Sequence, residues 1–112
     1  MPHPKFILNS ISDDRFHFNL TAKNTQVILT SQTYSAKASA LNGIESIQLN
    51  SRNDESYDRN ESSNKQYYFN LKAHNGLVIG TSEMYNSKEA RDQGIESVKL
   101  NGHTKEIDDQ TL

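Results

Sequence analysis

Cysteine is absent from the 112 residues. That excludes disulfides, thiolate nucleophiles and zinc–thiolate sites. Long apolar runs are missing as well: no stretch approaches the roughly 18 residues that a membrane-crossing helix needs. The opening MPHPKFILNS carries one lysine and a three-residue apolar run, unlike a secretory signal. A reducing, cytosolic compartment is the expectation, and the N-x-S/T triplets at Asn19 and Asn60 then read as chance. A strong charge of either sign is lacking too. The net charge of -2 argues against a general nucleic-acid binder, because phosphate neutralisation dominates that attraction.

What is present is a short chain for one compact domain, with a modest core. Apolar residues make up 33% and charged residues 23%, and the apolar ones cluster in short runs, as in a folded protein. Twelve asparagines point to many turns. Residues 1–53 carry five basic and three acidic side chains, and residues 54–112 carry seven and eleven. This unevenness is read as a solvated surface, though opposite charge could help two halves or two molecules pair.

The chain says nearly the same thing twice. Phe16–Asn50 aligns without a gap on Tyr67–Asn101, and 17 of the 35 positions are identical at a constant offset of 51. Two copies are too few for a solenoid. They predict two halves, 1–53 and 54–112, related by a pseudo-two-fold axis and packed as one compact domain. The chain would then be a monomer that resembles a dimer fused into one polypeptide.

Each copy predicts the same elements. FHFNL and YYFNL alternate with the two-residue period of a half-buried strand. Asn75-Gly76 signals a two-residue hairpin, since both positions tolerate positive φ. The first copy has Asn24-Thr25, and the β-branched Thr25 predicts a somewhat different turn. QVILTS and LVIGTS follow as strands rich in β-branched residues. Then the period becomes helical, with Ala36, Ala40, Ile44 and Ile47 on one stripe and Ala90, Ile95 and Val98 on the other. Ser35 and Asn86 are the expected N-caps, with Glu89 completing a capping box on Asn86. Gly43 and Gly94 sit inside these helices. A mid-helix glycine costs about 1 kcal/mol relative to alanine, so both are expected where the helix backbone presses close to the sheet. Lys5–Ile11 reads as a preceding strand, Glu55–Arg59 as its short counterpart in the polar linker 51–66, and Lys105–Asp108 as a short last strand. The sum is β-β-β-α, twice: an α+β fold, with two helices on one face of a single antiparallel sheet and the other face partly open to water.

The elements Phe69-x-Leu71-x-Ala73-x-Asn75-Gly76-x-Val78-Ile79, Thr81-Ser82-x-x-Tyr85, Ser87-Lys88 and Gly94-Ile95-x-Ser97-Val98 resemble the YegP-like family of small bacterial proteins. The first copy departs at Thr25, where the pattern has glycine, and at Ala36, where it has serine. The resemblance covers nearly the whole chain. It implies tandem β-β-β-α units in one sheet with terminal strands exchanged between the halves, and single-copy relatives that pair as dimers. It implies no particular activity.

Residues that carry chemistry are sparse. His3, His17, His74 and His103 show no H-x-H or H-x-x-x-H spacing, so no metal is expected, and no cofactor motif is present. Ser46 and Ser97 repeat, but a helical serine without a base reads as packing or capping. Glu45 and Glu96 repeat too. Were they to meet across the axis they would perturb each other, as an acid/base pair requires; an exposed helix glutamate is the plainer reading. Lys37 and Lys88, near the helix starts, could hold an anion, or stand as surface lysines. The binding candidate is the open sheet face. His17, Asn19, Tyr68, Asn70 and Lys72 are expected to project from adjacent central strands, where aromatic, amide and basic groups can stack on and hydrogen-bond a flat ligand or single-stranded RNA. The leading expectation is a non-enzymatic module that binds a protein or peptide partner, with edge strands available for pairing. The alternative is a small-molecule or single-stranded nucleic-acid binder using the polar sheet face.

Overall fold

The computed structural model describes residues 3–111. The strands are β1 (Lys5–Ser12), β2 (Arg15–Thr21), β3 (Val27–Ser31), β4 (Tyr57–Glu61), β5 (Tyr67–Lys72), β6 (Val78–Thr81) and β7 (Ile107–Asp109), and the helices are α1 (Lys37–Asn50) and α2 (Lys88–Asn101). A single 3-10 turn, Asp54–Ser56, precedes β4. The seven strands form one sheet in the order β4-β5-β6-β3-β2-β1-β7. At its centre β3 and β6 pair antiparallel, with Thr30 opposite Thr81. These two residues are repeat equivalents, so the pseudo-two-fold axis passes through their pair.

The alternation of each strand places its apolar set under the helices. Phe6, Leu8, Phe18, Leu20 and Leu29 from the first half, and Phe69 and Leu71 from the second, are fully buried against Ala40, Ile44, Ile47, Ile95 and Val98. Burying each such side chain contributes about 1.5–3 kcal/mol for the larger ones. Each helix packs on strands of both halves, α1 on β2 and β6, α2 on β5 and β3, so neither half owns a complete core.

The terminal strands are exchanged. β4 follows α1 but pairs with β5 of the second half. β7 follows α2 but lies along β1 of the first half. The crossing segment is held where Gln48 Nε2 donates to the Thr104 carbonyl at 2.8 Å and Thr104 Oγ1 donates to the Pro4 carbonyl at 2.9 Å. The β7–β1 pairing is parallel; the other five are antiparallel.

Gly43 and Gly94 lie where expected, each over a tyrosine. A Cβ on Gly43 would overlap the Tyr34 hydroxyl, and one on Gly94 the Tyr85 hydroxyl. The Thr-Ser pairs serve the same region: Ser31 Oγ accepts from Phe18 N at 2.9 Å, and Ser82 Oγ from Phe69 N at 3.0 Å.

Local expectations need correction at several points. The two hairpins share one turn. Thr25 N donates to the Ala22 carbonyl and Gly76 N to the Ala73 carbonyl, both at 2.9 Å, and the next closing bonds are Ala22 N to Gln26 O and Ala73 N to Leu77 O. These are three-residue loops ending in a left-handed residue, Thr25 at φ 69° and Gly76 at φ 85°. Burial of the flanking strands sets the register, and Thr25 takes the strained conformation that Gly76 adopts freely. The N-caps fall one residue later than expected. Ser87 caps α2, accepting from Ala90 N at 3.0 Å, whereas Ala36 stands at the α1 cap with no side-chain bond. Strand β4 begins at Tyr57, two residues after the expected start, because the 3-10 turn takes Asp54–Ser56.

Candidate functional site

The open sheet face carries all five expected residues, but they form two groups. His17 and Asn19 are on β2, and Tyr68, Asn70 and Lys72 on β5. The expectation of adjacent strands is wrong: β6 and β3 lie between them. At about 4.8 Å per strand the two groups are about 14 Å apart. Alternation reports which face a side chain takes and says nothing about which strand lies next door.

One feature joins the groups. Thr30 Oγ1 donates to Asn19 Oδ1 at 3.0 Å, and Thr81 Oγ1 donates to Asn70 Oδ1 at 2.8 Å. With Thr30 opposite Thr81, the ladder Asn70–Thr81–Thr30–Asn19 crosses the four central strands at one level. The same level continues to Asp58 on β4 and to Ile7 and Asp108 toward β7. Thr30 and Thr81 were not among the expected site residues. Their place in the repeat, at the outward-facing positions of TS, was the available signal.

Two lysines of this face are paired. Lys72 Nζ lies 3.2 Å from Asp58, and Lys5 Nζ lies 3.2 Å from Asp108. His17 stands opposite Asn9, and Tyr68 opposite Asn60. His17 and Tyr68 are repeat equivalents, so one aromatic ring and one imidazole stand at opposite ends of the platform.

The helix residues do not converge. Glu45 and Glu96 are both exposed and border separate grooves, Glu45 beside Asn42 and His74, Glu96 beside Arg59 and Asp92. Glu96 pairs with Lys99 at 3.3 Å. Ser46 and Ser97 have a local role: each carbonyl accepts from the side-chain amide four residues on, Asn50 at 2.7 Å and Asn101 at 2.8 Å. Among the described residues no group of three or more His, Asp or Glu side chains is placed to hold a metal ion. Lys37 is engaged by Asp109 of β7. That contact, with help from Thr111, holds the Asp109 carboxyl down at about 2. No helix among the described residues is long and apolar enough to cross a membrane.

The two edges of the sheet differ. The β1 edge is covered by β7. Its repeat equivalent, β4, has β5 on one side and, among the described residues, no strand on the other. Beside that free edge runs a groove of about 460 Å³ lined by Arg59, Glu89, Asp92, Gln93 and Glu96. Asp54 ties the edge to α2, accepting from Arg59 at 2.9 Å and Lys99 at 2.8 Å. Those two cations pull its carboxyl below the usual range, chiefly through the Lys99 hydrogen bond. Tyr57, packed edge-on against Phe69, has its phenol pushed well up by burial.

Comparison with known proteins places this architecture. The family described as "Domain of unknown function (DUF1508)" matches residues 12–58 and again 62–109. The UPF0339 protein of Acinetobacter baylyi is 51% identical over 93% of this chain and 94% of its own length. The UPF0339 protein YegP of Escherichia coli K12 is 45% identical over 95% and 96%. Two solution NMR structures share the fold. The yegP protein of E. coli, described as a protein of unknown function, has a TM-score of 0.92 at 43% identity and covers 99% of this chain and 96% of its own. A UPF0339 protein of Shewanella oneidensis has 0.91 at 49%, covering 96% and 92%. With two tandem matches and such identity over nearly its full length, the chain belongs to the DUF1508 family, among the UPF0339 proteins that include YegP.

Proposed function

We propose that the chain is a non-enzymatic, cytosolic interaction module that binds a protein or peptide partner along the free edge of β4. The observation that carries this reading is the inequality of the two edges. The fold places a strand on β1 and, among the described residues, none on the equivalent edge. An uncovered edge offers main-chain donors and acceptors that an extended segment can satisfy, the mode known as strand addition. The wide separation of candidate catalytic groups supports a binding role over an enzymatic one, with the protein acting as a monomer built like a fused dimer.

An amide NMR spectrum of the labelled protein, alone and with size-fractionated bacterial lysate, tests the reading. Shifts along Tyr57–Glu61 are the expected result. Shifts confined to the strands of His17, Asn19, Tyr68 and Asn70 would overturn it.

A second reading is a small-molecule or single-stranded nucleic-acid binder on the open sheet face. The Asn70–Thr81–Thr30–Asn19 ladder favours it, because each asparagine accepts through Oδ1 and leaves its Nδ2 donor for what lies above. The pairing of Lys72 and Lys5 with carboxylates weakens the pull on phosphate. Salt-dependent retention on an oligonucleotide column would favour the nucleic-acid form, and its absence would remove it.

A further inference from the structure

The strand β7 on the β1 edge is a template for what the β4 edge can take. Phe6 N donates to the Glu106 carbonyl at 2.9 Å, and Gln110 N donates to the Leu8 carbonyl at 2.8 Å. Phe6 and Leu8 therefore turn main-chain groups outward. Their repeat equivalents are Tyr57 and Arg59, so by strand alternation these face the free edge. The Tyr57 N–H is already given to the Asp54 carbonyl. The pairing groups of Arg59 and the Tyr57 carbonyl are left at the edge.

The flanking helices then decide which segment fits. Beside β7, α1 presents Lys37, which pairs with Asp109; Ala38, Leu41 and Glu45 follow along the helix. The equivalent α2 positions are Lys88, Glu89, Asp92 and Glu96. Two neutral residues have become carboxylates. Asp92 is partly neutralised, by Arg91 at 3.2 Å and more loosely by Arg59 at 3.6 Å, whose guanidinium Asp54 holds more closely at 2.9 Å. Glu89 has no ion pair among the described residues, and Glu96, though paired with Lys99 at 3.3 Å, keeps its side chain 71% exposed. The groove beside β4 is thus lined by three carboxylates and one committed cation.

We infer that the β4 edge accepts an extended segment, parallel to β4, whose helix-facing side chains are lysine or arginine. This rests on the strand-addition reading above and names its partner's chemistry. Main-chain pairing would hold the segment, and its cations would meet Glu89, Asp92 and Glu96. The same carboxylates repel the protein's own Ile107-Asp108-Asp109 sequence. A second copy's β7 is thereby kept off β4, which prevents head-to-tail growth into open chains.

The test is amide NMR titration of the full chain with a short synthetic peptide alternating lysine with valine. Its controls are the same peptide with aspartate for lysine and a version N-methylated on alternate residues. Shifts from the lysine peptide along Tyr57–Glu61 and along Glu89–Glu96, lost on N-methylation, are the expected result. The double charge reversal E89K/D92K should weaken binding about tenfold, as two exposed pairs allow. Equal or tighter binding of the aspartate peptide at β4 would overturn the charge selection while leaving strand addition standing. Equal binding of the N-methylated peptide would overturn main-chain pairing and leave only surface attraction. No shift in β4 from either the lysine or the aspartate peptide would overturn both the inference and the edge reading beneath it.

Discussion

Replacing Gly43 with alanine pits two known effects against each other. Helix propensity favours alanine over glycine by about 1 kcal/mol. Against that, the new Cβ would overlap the Tyr34 hydroxyl and lie 3.0 Å from Tyr34 Cζ and 3.1 Å from Phe18 Cε2. The tyrosine ring has little room to retreat. It stacks on Phe18 with centroids 6.2 Å apart and planes 9° from parallel, and its backbone is bonded twice to Phe16 at 2.8 Å. Overpacking of this kind costs about 1–3 kcal/mol, occasionally more. With the overlap on a rigid ring, G43A should lose about 2 kcal/mol net of the helix gain, roughly thirtyfold in the folding constant. Tyr34→Phe supplies the check. Its hydroxyl donates to no described residue, so Y34F alone should be nearly neutral. In Y34F/G43A the worst contact is gone, and the two remaining ones relax by a few tenths of an ångström. The double variant should recover at least about 1 kcal/mol, visible as coupling in a double-mutant cycle. At Gly94 the same rescue should be weaker, because Tyr85 Cζ lies 2.7 Å from the added atom. Guanidinium unfolding followed by circular dichroism reads all of these as midpoint shifts at constant slope. A G43A protein more stable than the parent, or a loss unchanged by Y34F, would refute the close-approach account.

Three other perturbations follow from differences between the repeats. Thr25→Gly should stabilise by about 1 kcal/mol by releasing a β-branched residue from the left-handed region; an unchanged unfolding midpoint would count against strain there. Ala36→Ser should give α1 the cap that Ser87 gives α2, raising stability by about 1 kcal/mol, with no gain meaning that the α1 entry cannot seat the hydroxyl. Acid should loosen β7 first. The Asp109 carboxyl sits at about 2 against an ordinary 3.8. A depressed carboxyl stabilises fully above its unfolded value, and that contribution is lost as pH falls from about 3.8 toward about 2. Hydrogen exchange at Gln110 N, which bonds Leu8, should therefore accelerate across that window, and Lys37→Ala should remove much of the acceleration; a flat profile in the parent would sink the assignment.

Much of the architecture was legible residue by residue. The identity of Phe18-Asn19-Leu20 with Phe69-Asn70-Leu71 revealed two halves. Period-two alternation identified the hairpin strands and which side chains face the helices. The retained Gly43 and Gly94 pointed to close approach before any partner was visible. These features are local: the propensity, period or tolerance of a few consecutive residues decides them. The left-handed Thr25 was hidden because its neighbours' burial, and not its own preference, sets the hairpin register.

Tertiary structure alone decided what the repeats make together. Nothing in QVILTS or LVIGTS says that β3 and β6 will pair, yet that pairing aligns the Asn–Thr–Thr–Asn ladder and parts His17 from Tyr68. The short IDD segment does not announce that it will run parallel to β1. Its place depends on Lys37, Lys5 and the Leu8 carbonyl, all far earlier in the chain. Strand order and edge coverage are settled by which long-range pairings bury the most apolar surface and satisfy the most main-chain groups. The sequence by itself determined the repeated unit and its faces. The meeting of the two halves determined the uncovered β4 edge, because an edge exists only in relation to strands that lie elsewhere.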